Sequence, residues 1–162
     1  MLEKIVSGGQ TGADIAALMA AHDFGITTGG WMPKGFITQG GPRPEYKIKY
    51  NLVEHSSSKY APRTYANVKD SDATLRFAYD FNSPGEICTM KAIHEYKKPF
   101  MDVDVKNPRR VEEVMEWLLR HQIKILNVAG NSERTYHGMT GEVYEYMSKL
   151  FGKMGFQEKG NK

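Results

Sequence analysis

The sequence predicts an α/β domain of three layers, a mainly parallel sheet with helices on both faces, and three observations predict it. Short apolar runs alternate with amphipathic stretches along the chain, the pattern of successive strand–helix units with helices of about 10–15 residues. The run Ile123–Ala129 is almost continuously apolar and branched, as a central parallel strand covered on both faces must be. Glycine recurs in the loops that follow the strands, the edge where such sheets bind ligands. With 162 residues, 40% of them hydrophobic and 25% charged, the chain suits one domain with one real core. That domain is read as residues 1–156, followed by a flexible tail at 157–162.

The elements follow in order. Ile5-Val6, reached through Glu3-Lys4, is a short strand ending at Ser7-Gly8-Gly9. A helix runs from Ala13 to about Phe24, with Ile15, Leu18 and Met19 apolar, and Gly25 stops it. Ile26–Thr28 is a weak strand closed by Gly29-Gly30, and residues 31–62 read as a long loop or lid holding Pro33, Pro42, Pro44 and Pro62. Arg63–Asp70 is a short helix and Ala73–Ala78 a strand. Pro84-Gly85-Glu86 opens the next helix, with Ile87, Met90, Ile93 and Tyr96 at helical spacing. Pro99–Val103 is a strand, and a helix from Pro108 through His121 presents Val111, Val114, Met115, Leu118 and Leu119. The strand Ile123–Ala129 and a last helix, about Thr140–Met154, complete the alternation.

Composition narrows the function. One cysteine forms no internal disulfide, the N-terminus does not resemble a secretion signal, and no apolar run approaches a membrane span of about 20 residues. A cytoplasmic protein is the expectation. A net charge of +3 is too mild to imply nucleic acid but suits an anionic small molecule. The five histidines are scattered without metal-ligand spacing, and Gly-x-Ser-x-Gly is absent. Cys88 is read as a buried, inert thiol in preference to a reactive one.

Four glycine-bearing loops follow strands: Ser7–Gly12, Gly29–Gly41, Asp80–Gly85 and Gly130–Gly141. In the first, Ser7-Gly8-Gly9-Gln10-Thr11-Gly12-Ala13-Asp14 joins a strand directly to a helix, whose free amides and dipole favour an anion. It matches neither a Walker A sequence nor G-x-G-x-x-G. A phosphate is expected at Gly8, Gly9, Gln10, Thr11 and Gly85, so Gly9→Val is expected to abolish binding and spare the fold. Asp14 is read either as an amide cap or as a ligand contact. Trp31 is read as stacking on a planar ring or as packed, and Lys34 as neutralising phosphate or as solvated. Arg63 suits bidentate phosphate recognition, with Thr64 as contact or helix-start cap and Asn67 one turn on. Asp72 precedes a strand and is read as structural, at the opposite edge. The third loop adds Gly85, Thr89 and Glu86, the carboxylate best placed to act on a ribose. The fourth adds Gly130, Asn131 and Ser132, and Asn127 inside an apolar strand requires a buried partner.

These motifs together with Gly30-Trp31-Met32-Pro33-Lys34-Gly35, Ser71-Asp72-Ala73-Thr74 and Leu126-Asn127-Val128-Ala129-Gly130 resemble the putative molybdenum carrier family over most of residues 3–150. The resemblance implies a Rossmann-like fold related to the lysine decarboxylase-like phosphoribohydrolases. It also implies a homo-oligomer and a nucleotide-type or molybdopterin-type ligand, with molybdenum cofactor among the candidates, whereas the residues themselves show no protein-bound metal site. A binding or carrier protein is the preferred reading. The alternatives are a nucleotide N-glycosidic hydrolase with Glu86 as its catalytic residue, and a nucleotide sensor. The chain departs from relatives at Ser83-Pro84-Gly85-Glu86, where a Gly-Gly-Thr type segment is usual, and it lacks the Pro-Gly-Gly-x-Gly-Thr-x-x-Glu motif of the phosphoribohydrolases.

Overall fold

A computed structural model of the chain describes residues 1–160. Strand β1 (Lys4–Val6) leads into α1 (Ala13–Asp23) and β2 (Thr27–Met32). There follow a hairpin of β3 (Ile37–Thr38) and β4 (Gly41–Pro42), a single turn α2 (Tyr46–Lys49) and β5 (Leu52–Glu54). The second half alternates α3 (Tyr60–Lys69), β6 (Ala73–Ala78), α4 (Pro84–Tyr96), β7 (Phe100–Asp104), α5 (Val111–Arg120), β8 (Ile125–Gly130) and α6 (Met139–Lys153). Six strands form one sheet in the order β5-β2-β1-β8-β6-β7, and every pairing within it is parallel. This is a three-layer Rossmann-like fold. No helix among the described residues is long and apolar enough to cross a membrane.

The topology places the site. From β1 the chain winds outward to β2 and β5. It then crosses to β6 and β7, and β8 returns between β1 and β6. Strand order therefore reverses at β1 and β8, and a crevice opens beyond their carboxyl ends. Helices α1, α5 and α6 pack together over one face, and α3 packs on α4 over the other. The main core joins Ile5, Leu75, Phe77, Leu126 and Val128 of the sheet to Val114 and Leu118 of α5 and to Val143, Met147 and Phe151 of α6. A smaller core unites Leu18, Met32, Phe36, Tyr50 and Leu52 at the β5 end, and a third holds Val68, Ala92 and Ile93 between α3 and α4.

Some elements differ from expectation. Helix α1 buries Ala13, Ala16, Ala17, Ala20 and Ala21 beside Leu18, whereas Met19 is 36% exposed. Small alanines let α6 approach closely, so the contact face is the small one. Strand β2 does not stop at Gly29-Gly30 but continues to Met32, because β5 pairs with its second half, Gly30 to Leu52 and Met32 to Glu54. At Gly30 a side chain would lie 2.1 Å from the Ser7 carbonyl, which closes the strand to any other residue. The 31–62 segment, expected as a long loop or lid, thus contains the end of β2, the hairpin, α2, β5 and the first turn of α3. In the tail, the Lys159 N–H donates to the Asp23 carbonyl at 2.6 Å. Residues 161 and 162, also assigned to the flexible tail, lie outside the described residues.

Candidate functional site

A cavity of about 450 Å³ fills the crevice, within the usual range for small-molecule sites. Its walls are the loop after β1, the first turns of α3 and α4, and the end of β8 with the loop that follows. The first turn of α1 borders it through Asp14. In this doubly wound order all three of these helices begin at the carboxyl edge, so their N-terminal dipoles converge there.

The loop after β1 is built from its own side chains. Ser7 Oγ donates to the Asp14 carbonyl at 3.0 Å and accepts the Gly9 N–H at 3.3 Å. The Asp14 carboxylate accepts the Gln10 N–H at 3.3 Å. That amide was expected to face a phosphate. In the structure Asp14 already occupies that position, the capping role being one of the two readings of this residue. Gly8 lies so close to α3 that a Cβ on it would sit 1.9 Å from Arg63 Nη1. Gly9 faces the other way. Its φ is 68°, and a side chain there would meet Leu52 and Met32 in the β5-end core at 2.9 Å. The expectation that Gly9→Val would spare the fold is corrected accordingly: the valine would strain the backbone and disturb packing first. A side chain at Gly12 would lie 2.3 Å from the Asn131 carbonyl, and one at Gly130 would lie 2.0 Å from the Phe77 carbonyl. These two glycines bring loops together.

The structure gathers Gly8, Gln10, Thr11, Asp14, Arg63, Thr64, Asn67, Gly85, Glu86, Thr89, Gly130, Asn131 and Ser132 around the cavity. Ser7, Gly9, Gly12, Trp31 and Lys34 are not in its lining. Trp31 belongs to β2, where its indole N–H donates to Asp70 at 2.9 Å and the Asn67 amide brackets its backbone N–H and carbonyl at 2.8 and 3.0 Å. Lys34 is exposed on the turn beyond β2. Sequence reasoning missed Gln39, Tyr60 and Thr135, while Ser83 lines the cavity as part of the expected third loop. Gln39 sits in the turn between β3 and β4, which is held on the first loop by two contacts. Gln10 Nε2 donates to the Ile37 carbonyl at 3.0 Å, and Thr11 Oγ1 donates to Gln39 Oε1 at 3.1 Å. The signal for this turn was Gly40-Gly41. The signal for Tyr60 was its place one turn before Thr64, whose hydroxyl donates back to the Tyr60 carbonyl at 3.0 Å.

Several polar groups near the cavity are fully employed. Asn127 Nδ2 donates to Thr74 Oγ1 at 3.2 Å, the buried partner its position demanded. Asn131 accepts the N–H groups of Tyr79 and Asp80 at 2.8 and 3.0 Å and donates to the Asp80 carbonyl and to Glu86 Oε2 at 3.0 and 3.3 Å. It thereby fixes the loop leading into α4. Asp72 lies at the opposite edge, where its carboxylate accepts the Lys124 and Ile125 N–H groups at 3.0 and 2.8 Å.

Other groups are not employed. Three buried side-chain atoms of cavity residues lack any hydrogen-bond partner: Gln10 Oε1, Arg63 Nε and Glu86 Oε1. Arg63 is the extreme case. Its guanidinium is 3.7 Å from Asp14 Oδ2 and lies over the Tyr60 ring, yet its Nε–H is buried without an acceptor among the described residues. Burial lowers its pKa from the ordinary value, with Asp14 opposing. Burial also pushes Asp14 up to about 6, against the pull of Arg63, and pushes Glu86 up to about 7, reinforced by the Asp14 charge. The Cys88 thiol, also on the lining, is raised by burial. Among the described residues no group of three or more His, Cys, Asp or Glu side chains is arranged to hold a metal ion. The arrangement can bind an anion at one cation and can hold or release a proton on two carboxyl groups.

Comparison with known proteins gives the lineage. The profile of the circularly permutated YpsA SLOG family matches residues 5–151. The crystal structure of a putative molybdenum carrier protein from Syntrophus aciditrophicus superposes with a TM-score of 0.83 at 36% identity, covering 93% of this chain and 94% of that one. No curated protein matches.

Proposed function

This chain belongs to the circularly permutated YpsA SLOG family, and from that premise we propose that it binds a phosphate-bearing small molecule of nucleotide or molybdopterin type. The observation that carries this reading is Arg63. A largely buried guanidinium whose Nε–H has no acceptor is costly unless a ligand supplies one, and the fork of N–H donors suits a phosphate. The missing side chain of Gly8 admits the Arg63 guanidinium, and the N-termini of α1, α3 and α4 add favourable dipole. The structural neighbour's name points to a molybdenum-related cargo, and a carrier role requires only capture and release. The phosphate is placed at Arg63, with the Gln39 turn over the first loop and the polar rim of Ser83, Thr89 and Ser132 available to the rest of the ligand.

Native mass spectrometry of protein purified from its host reads any retained ligand directly. Arg63→Met removes the charge while keeping much of the volume. It should lower affinity for that ligand about 10–150-fold, the equivalent of about 1.5–3 kcal/mol for one charge-assisted hydrogen bond. Equal affinity in calorimetry would remove Arg63 from the site.

A further inference from the structure

We propose that anion capture in this cavity is coupled to uptake of a proton by Glu86, so that the bound state holds the anion together with a neutral Glu86 carboxyl. This rests on the reading of Arg63 as the partner of the anion, and it assigns a regulation that Arg63 alone would not have.

The argument is a count of charges followed by a count of hydrogen bonds. Charged and titratable groups around Glu86 come from every neighbouring element: Asp14 from the first loop and α1, Arg63 from α3, Cys88 from its own helix α4, Arg76 from β6 and Asp102 from β7. Arg76 is already committed. It forms two hydrogen bonds to Asp102, at 2.8 and 2.7 Å, and gives Glu86 only an N–H to its backbone carbonyl at 3.1 Å. What remains is one cation, Arg63, against two carboxyl groups, Asp14 and Glu86, which are 6% and 3% exposed. With both ionised the cavity is net negative before any ligand enters. A phosphate would add charge of the same sign inside a space where screening is weak.

Hydrogen bonding singles out Glu86 as the group that yields. Burial raises the Asp14 pKa only to about 6, because the Gln10 N–H at 3.3 Å and Arg63 at 3.7 Å favour its ionised form. Glu86 has one donor, the Asn131 amide at 3.3 Å on Oε2, and its Oε1 is buried without a partner. As a carboxylate it leaves a charged oxygen unsatisfied. As a carboxylic acid it presents an O–H, the donor that an anion's oxygen can accept. Its pKa near 7 places this change within reach of neutral solution. In balance, the empty protein with ionised Glu86 takes one proton and one anion to give the complex.

The test is isothermal titration calorimetry of the full chain from about pH 6 to about pH 9, in buffers of different ionisation enthalpy. Two probes are used: inorganic sulfate, whose charge is constant over this range, and adenosine 5′-monophosphate. Wild type should take up a proton on binding above neutral pH, and its sulfate affinity should fall about tenfold per pH unit above about pH 7. In Glu86→Gln proton uptake on sulfate binding should vanish and sulfate affinity should become flat. For the nucleotide, the difference between wild type and variant cancels the probe's own titration. Binding without proton uptake in wild type, or an unchanged slope in Glu86→Gln, overturns the coupling and leaves the Arg63 site standing. Binding of neither probe at about pH 6, where Glu86 is protonated, overturns both. The wild-type proton count needs no variant, so it decides the matter even if the substitution impairs folding.

Discussion

Two regions of this protein each bury a guanidinium, and they treat it in opposite ways. At the β6–β7 edge, Arg76 is 4% exposed and fully engaged. Asp102 takes two of its N–H groups, the Glu86 carbonyl takes a third, and the Phe81 ring covers its face 4.9 Å away. In the crevice at β1 and β8, Arg63 is 13% exposed, with its Nε–H unpartnered and one carboxylate at 3.7 Å. A buried charge that the fold satisfies is part of the fold. One that the fold leaves open marks where something else belongs. The same distinction separates Asp72, which caps two backbone amides at the opposite edge, from Glu86, whose buried Oε1 is unpartnered.

Substitutions can break or sharpen this contrast. The largest effect on stability is expected at Arg76. Arg76→Met strips Asp102 of its partner and should cost about 2–3 kcal/mol in urea denaturation, below the full penalty for a buried pair because Asp102 is 31% exposed. Arg63→Met should change stability by less than about 1 kcal/mol, since removing a guanidinium with an unpartnered Nε–H offsets the lost attraction to Asp14, while lowering anion affinity about 10–150-fold. A comparable loss of stability from both would erase the distinction between the regions.

Next in size is the pH dependence at Glu86. Its folded-state pKa of about 7 lies above the ordinary 4.5, so between those values the folded chain holds a proton that the unfolded chain has released. Stability from this group therefore falls as pH rises from about 4.5 to about 7. Glu86→Gln should flatten that slope and raise stability at about pH 8 by about 1–3 kcal/mol, measured by urea denaturation across the range. Retention of the slope would assign it to another group, Asp14 being the nearest candidate. The smallest effect is expected at Lys34. Lys34→Ala should alter stability by no more than about 0.5 kcal/mol and anion affinity by less than twofold by calorimetry, because this exposed side chain is not in the cavity lining.

Much of the fold was legible because its signals are short-ranged. Pro84 at the start of α4, Gly25 after α1 and the mostly apolar run of β8 each act within a few residues. The edge of the site was legible for the same reason, since a strand–loop–helix order fixes which loops follow strands. What escaped is long-ranged. Strand β5 exists as a strand through its pairing with β2, and Leu52-Val53-Glu54 alone says little. Trp31 and Lys34 sat in a glycine-rich stretch that looked like a ligand loop, yet Trp31 is drawn into β2 by Asn67, 36 residues away. The pairing of Arg76 with Asp102 spans 26 residues and had no local signature.

By itself the sequence determined the alternation of strands and helices outside residues 31–62, the parallel sheet, and the rim expected to gather glycines, hydroxyls and Arg63. Those follow from periodicity and turn chemistry, which neighbouring residues decide among themselves. Only the tertiary structure decided which polar groups are satisfied. It put the Asp14 carboxylate onto an amide expected to face a ligand, tied Arg76 to Asp102, and left Gln10, Arg63 and Glu86 with open valences around one cavity. Hydrogen-bond satisfaction is a property of atoms brought together from distant segments, and no stretch of chain contains it.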